Sequence, residues 1–240
     1  MKAVVLLSGG VDSSTCLGIA VDKYGEDNVT ALSIEYGQKH LFRELRASHL
    51  VADFYRVRQE CLVLTKVFEY SNCSLLSSSA ESVPEGSYAE QQAESGRDMV
   101  STAVPFRNGV FLACVAAFAQ SIYPDQEVEV FIGAHADDAA GNAYADCSVE
   151  FTEAMSKAIS IGTYGNVKLV APLVNWNKSQ VVAEGLRLGV PYELTTSCYN
   201  GGEKACGKCG TCLDRIQSFR INSVIDPIEY EGKDPFADMR

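Results

Sequence analysis

Apolar positions along the chain fall into short unbroken runs, separated by longer stretches with a helical stripe. Residues 3–7, AVVLL, form one such run, closed by Ser8-Gly9-Gly10. That pattern predicts a parallel strand covered on both faces. Residues 29–34 and 128–132 read the same way, the second ending at Gly133. Residues 61–64 and 167–170 are shorter candidates, the latter stopped by Pro172. Helical spacing predicts helices over 12–24, 41–54, 111–122, 150–161 and 178–188. The 111–122 stretch is apolar nearly all round and so predicts a buried helix, whereas 178–188 is amphipathic and stops at Gly189 and Pro191. This alternation predicts an α/β fold, a doubly wound parallel sheet with helices on both faces. Ligands of such sheets sit beyond the carboxyl ends of the strands, near the reversal of strand order. Ser8-Gly9-Gly10 leaves the first strand at that end.

Two stretches break the alternation. Residues 71–103 carry nine serines and little periodicity, which reads as a mobile surface loop, a lid or a disordered insert. From about residue 226 the chain is acidic and contains prolines, and reads as a tail. The division is an α/β domain over 1–190, insert included, and a smaller C-terminal region over 191–240.

Composition narrows the partners. Thirty-one acidic residues against 20 basic ones give a net charge of −11, which argues against broad capture of nucleic acid. A small basic pocket is compatible with it. With 47% hydrophobic and 21% charged residues the chain is ordinary globular protein. No apolar run approaches the ~20 residues that cross a bilayer, and KAVVLL is too short for the core of a signal peptide. The expectation is a cytoplasmic protein without a membrane partner. In a reducing compartment its cysteines would not form a disulfide framework. Five are scattered (Cys16, Cys61, Cys73, Cys114 and Cys147), but four lie within fifteen residues: Cys198, Cys206, Cys209 and Cys212. Four thiolates at that spacing, on a Gly-rich loop, suit a tetrahedral Zn²⁺ or an iron–sulfur cluster. Four cysteines also close the coordination shell, which favours a structural role.

The most informative segment is Leu7-Ser8-Gly9-Gly10-Val11-Asp12-Ser13-Ser14-Thr15-Cys16-Leu17. Two glycines between strand and helix let a ligand approach the backbone, and the helix start offers N–H groups and a dipole to an anion. Ser8, Ser13 and Ser14 add hydroxyls. The segment lacks the Lys of a kinase-type phosphate loop and does not match GxGxxG. The plain alternative is a strand-turn-helix with Asp12 as its N-cap. Lys178, at the start of the last predicted helix, is a candidate second positive charge for phosphate, or a solvated surface lysine.

The loop resembles the SGGxDS loop of the PP-loop ATP pyrophosphatases, which cleave ATP between the α and β phosphates. More specifically, the chain resembles the 7-cyano-7-deazaguanine synthase family nearly end to end. The matching pieces are LSGGVDSSTCL, Tyr36-Gly37-Gln38-Lys39-His40, Val104-Pro105-Phe106-Arg107-Asn108, Gly133-Ala134-His135, Tyr144-Ala145-Asp146-Cys147, Pro172-Leu173 with Asn177-Lys178, and TSCYNGGEKACGKCGTCLDR. The family's SGYPDCR segment is altered here, with an extra residue and Ser148 in place of its Arg.

The resemblance implies a homodimeric ligase that turns 7-carboxy-7-deazaguanine, ammonia and ATP with Mg²⁺ into the nitrile through adenylated intermediates. It implies zinc rather than iron–sulfur on Cys198, Cys206, Cys209 and Cys212. Residues 7–17 and Lys178 would hold ATP, with Ser8, Asp12 and Lys178 in the chemistry. Arg107 is a candidate for the substrate carboxylate; the alternative is a solvated helix start with Asn108 as cap. Asp137, Asp138 and Asp146 could accept the ring N–H groups or hold Mg²⁺, or be ordinary loop acids. His135 is read as a loop histidine or a group that polarises an oxygen. His40 and His49 are placed on a helix without a role. Two other readings stand beside this one: a PP-loop tRNA-thiolating enzyme, and a nucleotide-binding zinc protein without turnover.

Overall fold

The computed structural model describes residues 1–239. In chain order the elements are β1 (Lys2–Leu6), α1 (Val11–Tyr24), β2 (Val29–Glu35), α2 (Leu41–Phe54), β3 (Arg58–Val63), α3 (Thr65–Phe68), α4 (Tyr88–Ser95), α5 (Arg107–Ile122), β4 (Val128–Phe131), α6 (Ala136–Ala139), α7 (Val149–Gly162), β5 (Val167–Val170), α8 (Lys178–Leu188) and α9 (Gly210–Ile221). The strands form one all-parallel sheet in the order β3-β2-β1-β4-β5. The order reverses between β1 and β4, so the loops after these two strands open into the same crevice.

Because successive strand residues face opposite ways, each strand feeds two cores. Val4, Leu6, Leu32, Ile34 and Val130 pack against Leu112 and Val115 of α5 and Ile159 of α7. Ala3, Val5, Ala31 and Phe131 pack against α1, α2, α8 and α9 through residues such as Leu17, Val51, Val181 and Phe219. This is the doubly wound α/β sheet that the alternation predicts. No helix among the described residues is long and apolar enough to cross a membrane.

The structure departs from the sequence reading in four places. Strand β3 opens on Arg58, Gln59 and Glu60 rather than at residue 61, because it is an edge strand whose polar residues reach solvent. Helix α5 starts at Arg107, not 111. Asn108 lies inside it, and the N-cap is Phe106, in the left-handed region at φ 50°. The 71–103 segment is not a loose surface loop. Leu75, Leu76 and Val100 are buried in the α5-side core, and α4 carries a full capping box from Ser87 and Glu90. Each buried leucine contributes roughly 1.5–3 kcal/mol, which helps offset the entropy of ordering the chain. Finally, the acidic end is no free tail: Ala205 exchanges backbone hydrogen bonds with Glu229 and Glu231 (2.9 and 2.8 Å), and Phe236 is buried against the α9-side core.

Candidate active site

The phosphate loop lies at the reversal point. Its backbone is forced by packing: Gly9 has φ +76°, and a Cβ there would stand 2.4 Å from the backbone N of Ser48 on α2. Only glycine fits. Helix α1 begins at Val11, with Gly10 as an N-cap that offers no side-chain hydrogen bond. Asp12 is therefore inside the first turn and does not cap it. The first helical bond runs from Ser14 N–H to Gly10 C=O (3.0 Å), which leaves the N–H groups ahead of it without in-helix partners. Ser8 and Ser13 hydroxyls sit 3.0 Å apart across the turn. Such a helix start, uncapped and facing a crevice, suits an anion.

A half-open cavity lies over this loop. Leu7, Ser8, Gly10, Val11, Asp12 and Ser13 line it. Gly9, Ser14, Thr15, Cys16 and Leu17 point into the protein behind it and are buried. Thr15 Oγ1, for instance, bonds Val11 C=O and the Tyr192 hydroxyl, both at 2.8 Å.

Three side chains, Lys178, His135 and Asp138, cluster with Asp12. The Lys178 ammonium, 8% exposed, donates to both Asp12 carboxylate oxygens at 2.7 and 2.6 Å. His135 Nε2 lies 3.4 Å from that ammonium and 3.3 Å from Asp138 Oδ2. Burial by itself would raise the Asp12 carboxyl, but Lys178 and then His135 outweigh it, so Asp12 sits below the ordinary carboxylate range. Burial likewise opposes the Lys178 charge, and Asp12 and Asp138 overcome it, holding the ammonium above its ordinary value. Lys178 is thus no solvated surface lysine, and His135, 1% exposed, belongs to the same cluster.

Two acids mark the start of a helix each. Asp137 Oδ2 accepts the Lys178 N–H at the first residue of α8 (2.7 Å). Asp146 Oδ2 accepts the Asn108 N–H at the start of α5 (2.8 Å), and Asn108 returns a bond to Asp146 C=O. A carboxylate at a helix N-terminus is favourable, and here each one holds a helix whose first residue is basic. Arg107 lines the cavity with its guanidinium over the rings of Tyr36 (5.7 Å) and Phe111 (5.9 Å). Among the described residues it enters no ion pair. Ser148, where the family pattern has Arg, caps α7 by accepting from Phe151 N–H (3.1 Å).

The far wall of the cavity includes Thr196, Ser197, Cys198 and Tyr199. Thr196 N–H bonds Gly9 C=O (2.9 Å), so this segment braces the phosphate loop. The brace is itself fixed by Arg215, fully buried, which grips Asp226 at 2.7 and 2.9 Å and also donates to Thr195 Oγ1 (2.8 Å) and Tyr192 C=O (3.1 Å). The sequence offered no signal for this clamp, because its members are brought together only by the fold.

Cys198, Cys206, Cys209 and Cys212 are all buried, with their sulfurs within 4.8 Å of one another. A tetrahedral ion at ~2.3 Å from each sulfur needs edges of roughly 3.8 Å, and Cys206 and Cys212 stand 3.9 Å apart. Backbone N–H groups of Lys208 and Cys209 point at Cys206 Sγ. Hydrogen bonds from Cys209 and Cys212 pull the Cys198 thiol far below its ordinary value. Cys198 in turn pushes Cys209 up to about 12, and Cys212 higher still. Four thiolates cannot coexist here without a cation among them, so the donor set fits a metal.

A parallel sheet whose first strand runs into an uncapped Gly-Gly helix start at the reversal point, beside a buried lysine–aspartate pair, defines a doubly wound α/β protein with a site suited to an anion. The chain belongs to the queuosine biosynthesis protein QueC family, whose model matches residues 2–223. It is 44% identical over 231 residues to the 7-cyano-7-deazaguanine synthase of Caldicellulosiruptor saccharolyticus, covering 96% of both chains. The synthase of Thermoplasma acidophilum is 40% identical over 239 residues, with 96% of this chain and 92% of that one covered. Among solved structures, NMN synthetase from Francisella tularensis superposes with a TM-score of 0.48 at 16% identity, covering 99% of this chain and 81% of that one.

Proposed function

We propose that the protein is a ligase that converts 7-carboxy-7-deazaguanine and ammonia to 7-cyano-7-deazaguanine at the expense of ATP. One observation carries this reading: an uncapped helix start and an arginine packed on two aromatic rings line one cavity. The loop N–H groups, with Ser8 and Ser13, hold the triphosphate. Arg107 holds the substrate carboxylate. The carboxylate oxygen attacks the α-phosphate, pyrophosphate leaves, and ammonia displaces AMP to give the amide. A second ATP adenylates the amide oxygen in the same way with loss of pyrophosphate; the nitrogen gives up both its protons, and the C–O bond breaks so that the oxygen departs with AMP and leaves the nitrile. Lys178 balances the charge that grows on the phosphates, once Asp12 shares it with them. Asp137 and Asp146 act one step back, as anchors of the helices that carry Lys178 and Arg107.

Asp12 and Asp138 are the hard oxygen donors that Mg²⁺ would take; when bound it neutralises triphosphate charge. We assign zinc to the cysteine site, because one ion matches the sulfur spacing, whereas a cluster sets each thiolate on a different iron and spreads them. Region 191–240 is then a zinc-binding appendage of the 1–190 domain. The family resemblance adds a homodimer and a cytoplasmic location.

The tRNA-thiolating alternative is weaker. It wants a basic face, against a net charge of −11, and a reactive thiolate. Of the two cysteines that line the cavity, Cys198 belongs to the four-cysteine set, and burial pushes the Cys147 thiol well above its ordinary value, which keeps it protonated and a poor nucleophile. The test is mass spectrometry of products from protein, ATP, ammonium and the carboxylated precursor. The nitrile, with AMP and pyrophosphate formed only when both co-substrates are present, is expected. AMP formation without the precursor, or sulfur transfer to tRNA, would overturn the reading.

A further inference from the structure

His40 and Glu44 do not sit idle on a helix. His40 is the N-cap residue of α2 and Glu44 lies one turn on; both line the cavity above the phosphate loop. Their side chains are 8% and 12% exposed, and His40 Nε2 stands 3.0 Å from Glu44 Oε2. The other ring nitrogen, Nδ1, is buried and meets no hydrogen-bond partner. The ring is held in place by Tyr199 (5.5 Å between centroids) and by Gly201, where a Cβ would come within 3.0 Å of His40 Cα.

A carboxylate that accepts from Nε2–H leaves the lone pair on Nδ1 and fixes the imidazole in that tautomer. The arrangement is that of an oriented general base whose basic nitrogen is buried and unpartnered, on a residue that lines the cavity of the phosphate loop and Arg107. The reaction proposed above needs such a group. Ammonium is the form of the nitrogen source that prevails at neutral pH, and it has no lone pair. Buried aromatic and carboxylate groups, here Tyr199 and Glu44, also suit a small cation.

Resting on that functional reading, we propose that His40 is the catalytic base that deprotonates ammonium, and that Glu44 is the positioning residue that orients it. Ammonium gives one proton to His40 Nδ1. The freed lone pair forms the C–N bond to the acyl-adenylate carbon, the C–O bond to AMP breaks, and AMP leaves with that electron pair. The surplus proton on nitrogen passes to solvent.

The experiment compares wild type, His40→Gln and Glu44→Gln for amide and nitrile formation, titrating ammonium, ATP and the precursor separately. It is repeated with hydroxylamine, an amine largely uncharged at neutral pH, with hydroxamate as product. Both variants are expected to lose about 100-fold in kcat/KM for ammonium. KM for ATP and for the precursor should hold within about twofold, and hydroxamate formation within about threefold. Equal losses with hydroxylamine, or a loss confined to KM for the precursor (which would make Glu44 a reader of the ring N–H groups), would overturn the proposal. So would unchanged ammonium kinetics. Should one variant fail to fold, the other decides. A wild-type protein that makes no product at all would instead sink the functional reading.

Discussion

The phosphate loop and the cysteine knuckle are both short Gly-rich turns that lead into a helix, yet they are built in opposite ways. The loop is a main-chain site. Its shape comes from Gly9 pressed on α2 and from Thr196 bonded to its carbonyl, and its positive charge arrives from Lys178, 166 residues from Asp12 in sequence. The knuckle is a side-chain site, whose four buried thiols repel one another once ionised. The fold makes the first site before any ligand arrives, whereas the second is a donor set that a cation, the zinc proposed above, would complete. The two are joined through α9, which carries Cys212 and, one turn later, Arg215.

Removing the metal should give the largest effect. A structural zinc contributes on the order of 10 kcal/mol or more of binding free energy that is also folding free energy. Cys209→Ser should therefore lose metal, solubility and activity together. A metal-free Cys209→Ser protein that kept its melting temperature and turnover would erase the contrast between the regions.

Next in size is the clamp between them. Arg215→Ala leaves the buried Asp226 carboxylate without its cation, with only the Tyr230 O–H and Ile228 N–H still donating to it, and should cost about 3–5 kcal/mol in denaturant unfolding, while zinc content, measured by elemental analysis, stays at wild-type level. Arg215→Met combined with Asp226→Leu should recover most of that loss, since a buried pair is often replaced by apolar residues at little cost. Failure of the double variant to recover would mean that the bonds to Thr195 and Tyr192, not the ion pair, hold the brace.

The loop itself should show the reverse signature. Lys178→Met, Asp12→Ala or Ser8→Ala should lower kcat/KM roughly 10²–10³-fold, about 2.7–4 kcal/mol of transition-state stabilisation, with metal and circular dichroism unchanged. Loss of zinc from Lys178→Met would show the two regions to be one cooperative unit.

The smallest effect serves as a control on helix α8. Glu184 is held below its ordinary range by hydrogen bonds from Arg187. A depressed carboxyl stabilises the fold above its unfolded value and loses that contribution as pH falls below about 4.5 and through the lower folded value. Being surface, the pair is worth only about 0.3–0.5 kcal/mol. Arg187→Ala should cost that much at pH 7 and nothing near pH 3; a cost above 1 kcal/mol would show that exposure is a poor guide in this helix.

Much of this was legible in the residues alone. Short unbroken apolar runs and stripes of period 3.6 set the strands and helices, because burial is a local demand that each segment states for itself. The loop and the four cysteines were legible for the same reason, since each is contiguous chemistry. Tertiary structure alone decided what depends on meeting across the sheet. It paired Lys178 with Asp12 and turned Asp137 and Asp146 into helix anchors. It packed the aperiodic 71–103 segment by burying Leu75 and Leu76, which follow neither repeat. It also brought His40 to the cavity and Asp226 to Arg215. Such pairings are selected by proximity and by the cost of leaving a buried charge alone, and neither is written in the order of residues along a strand or a helix.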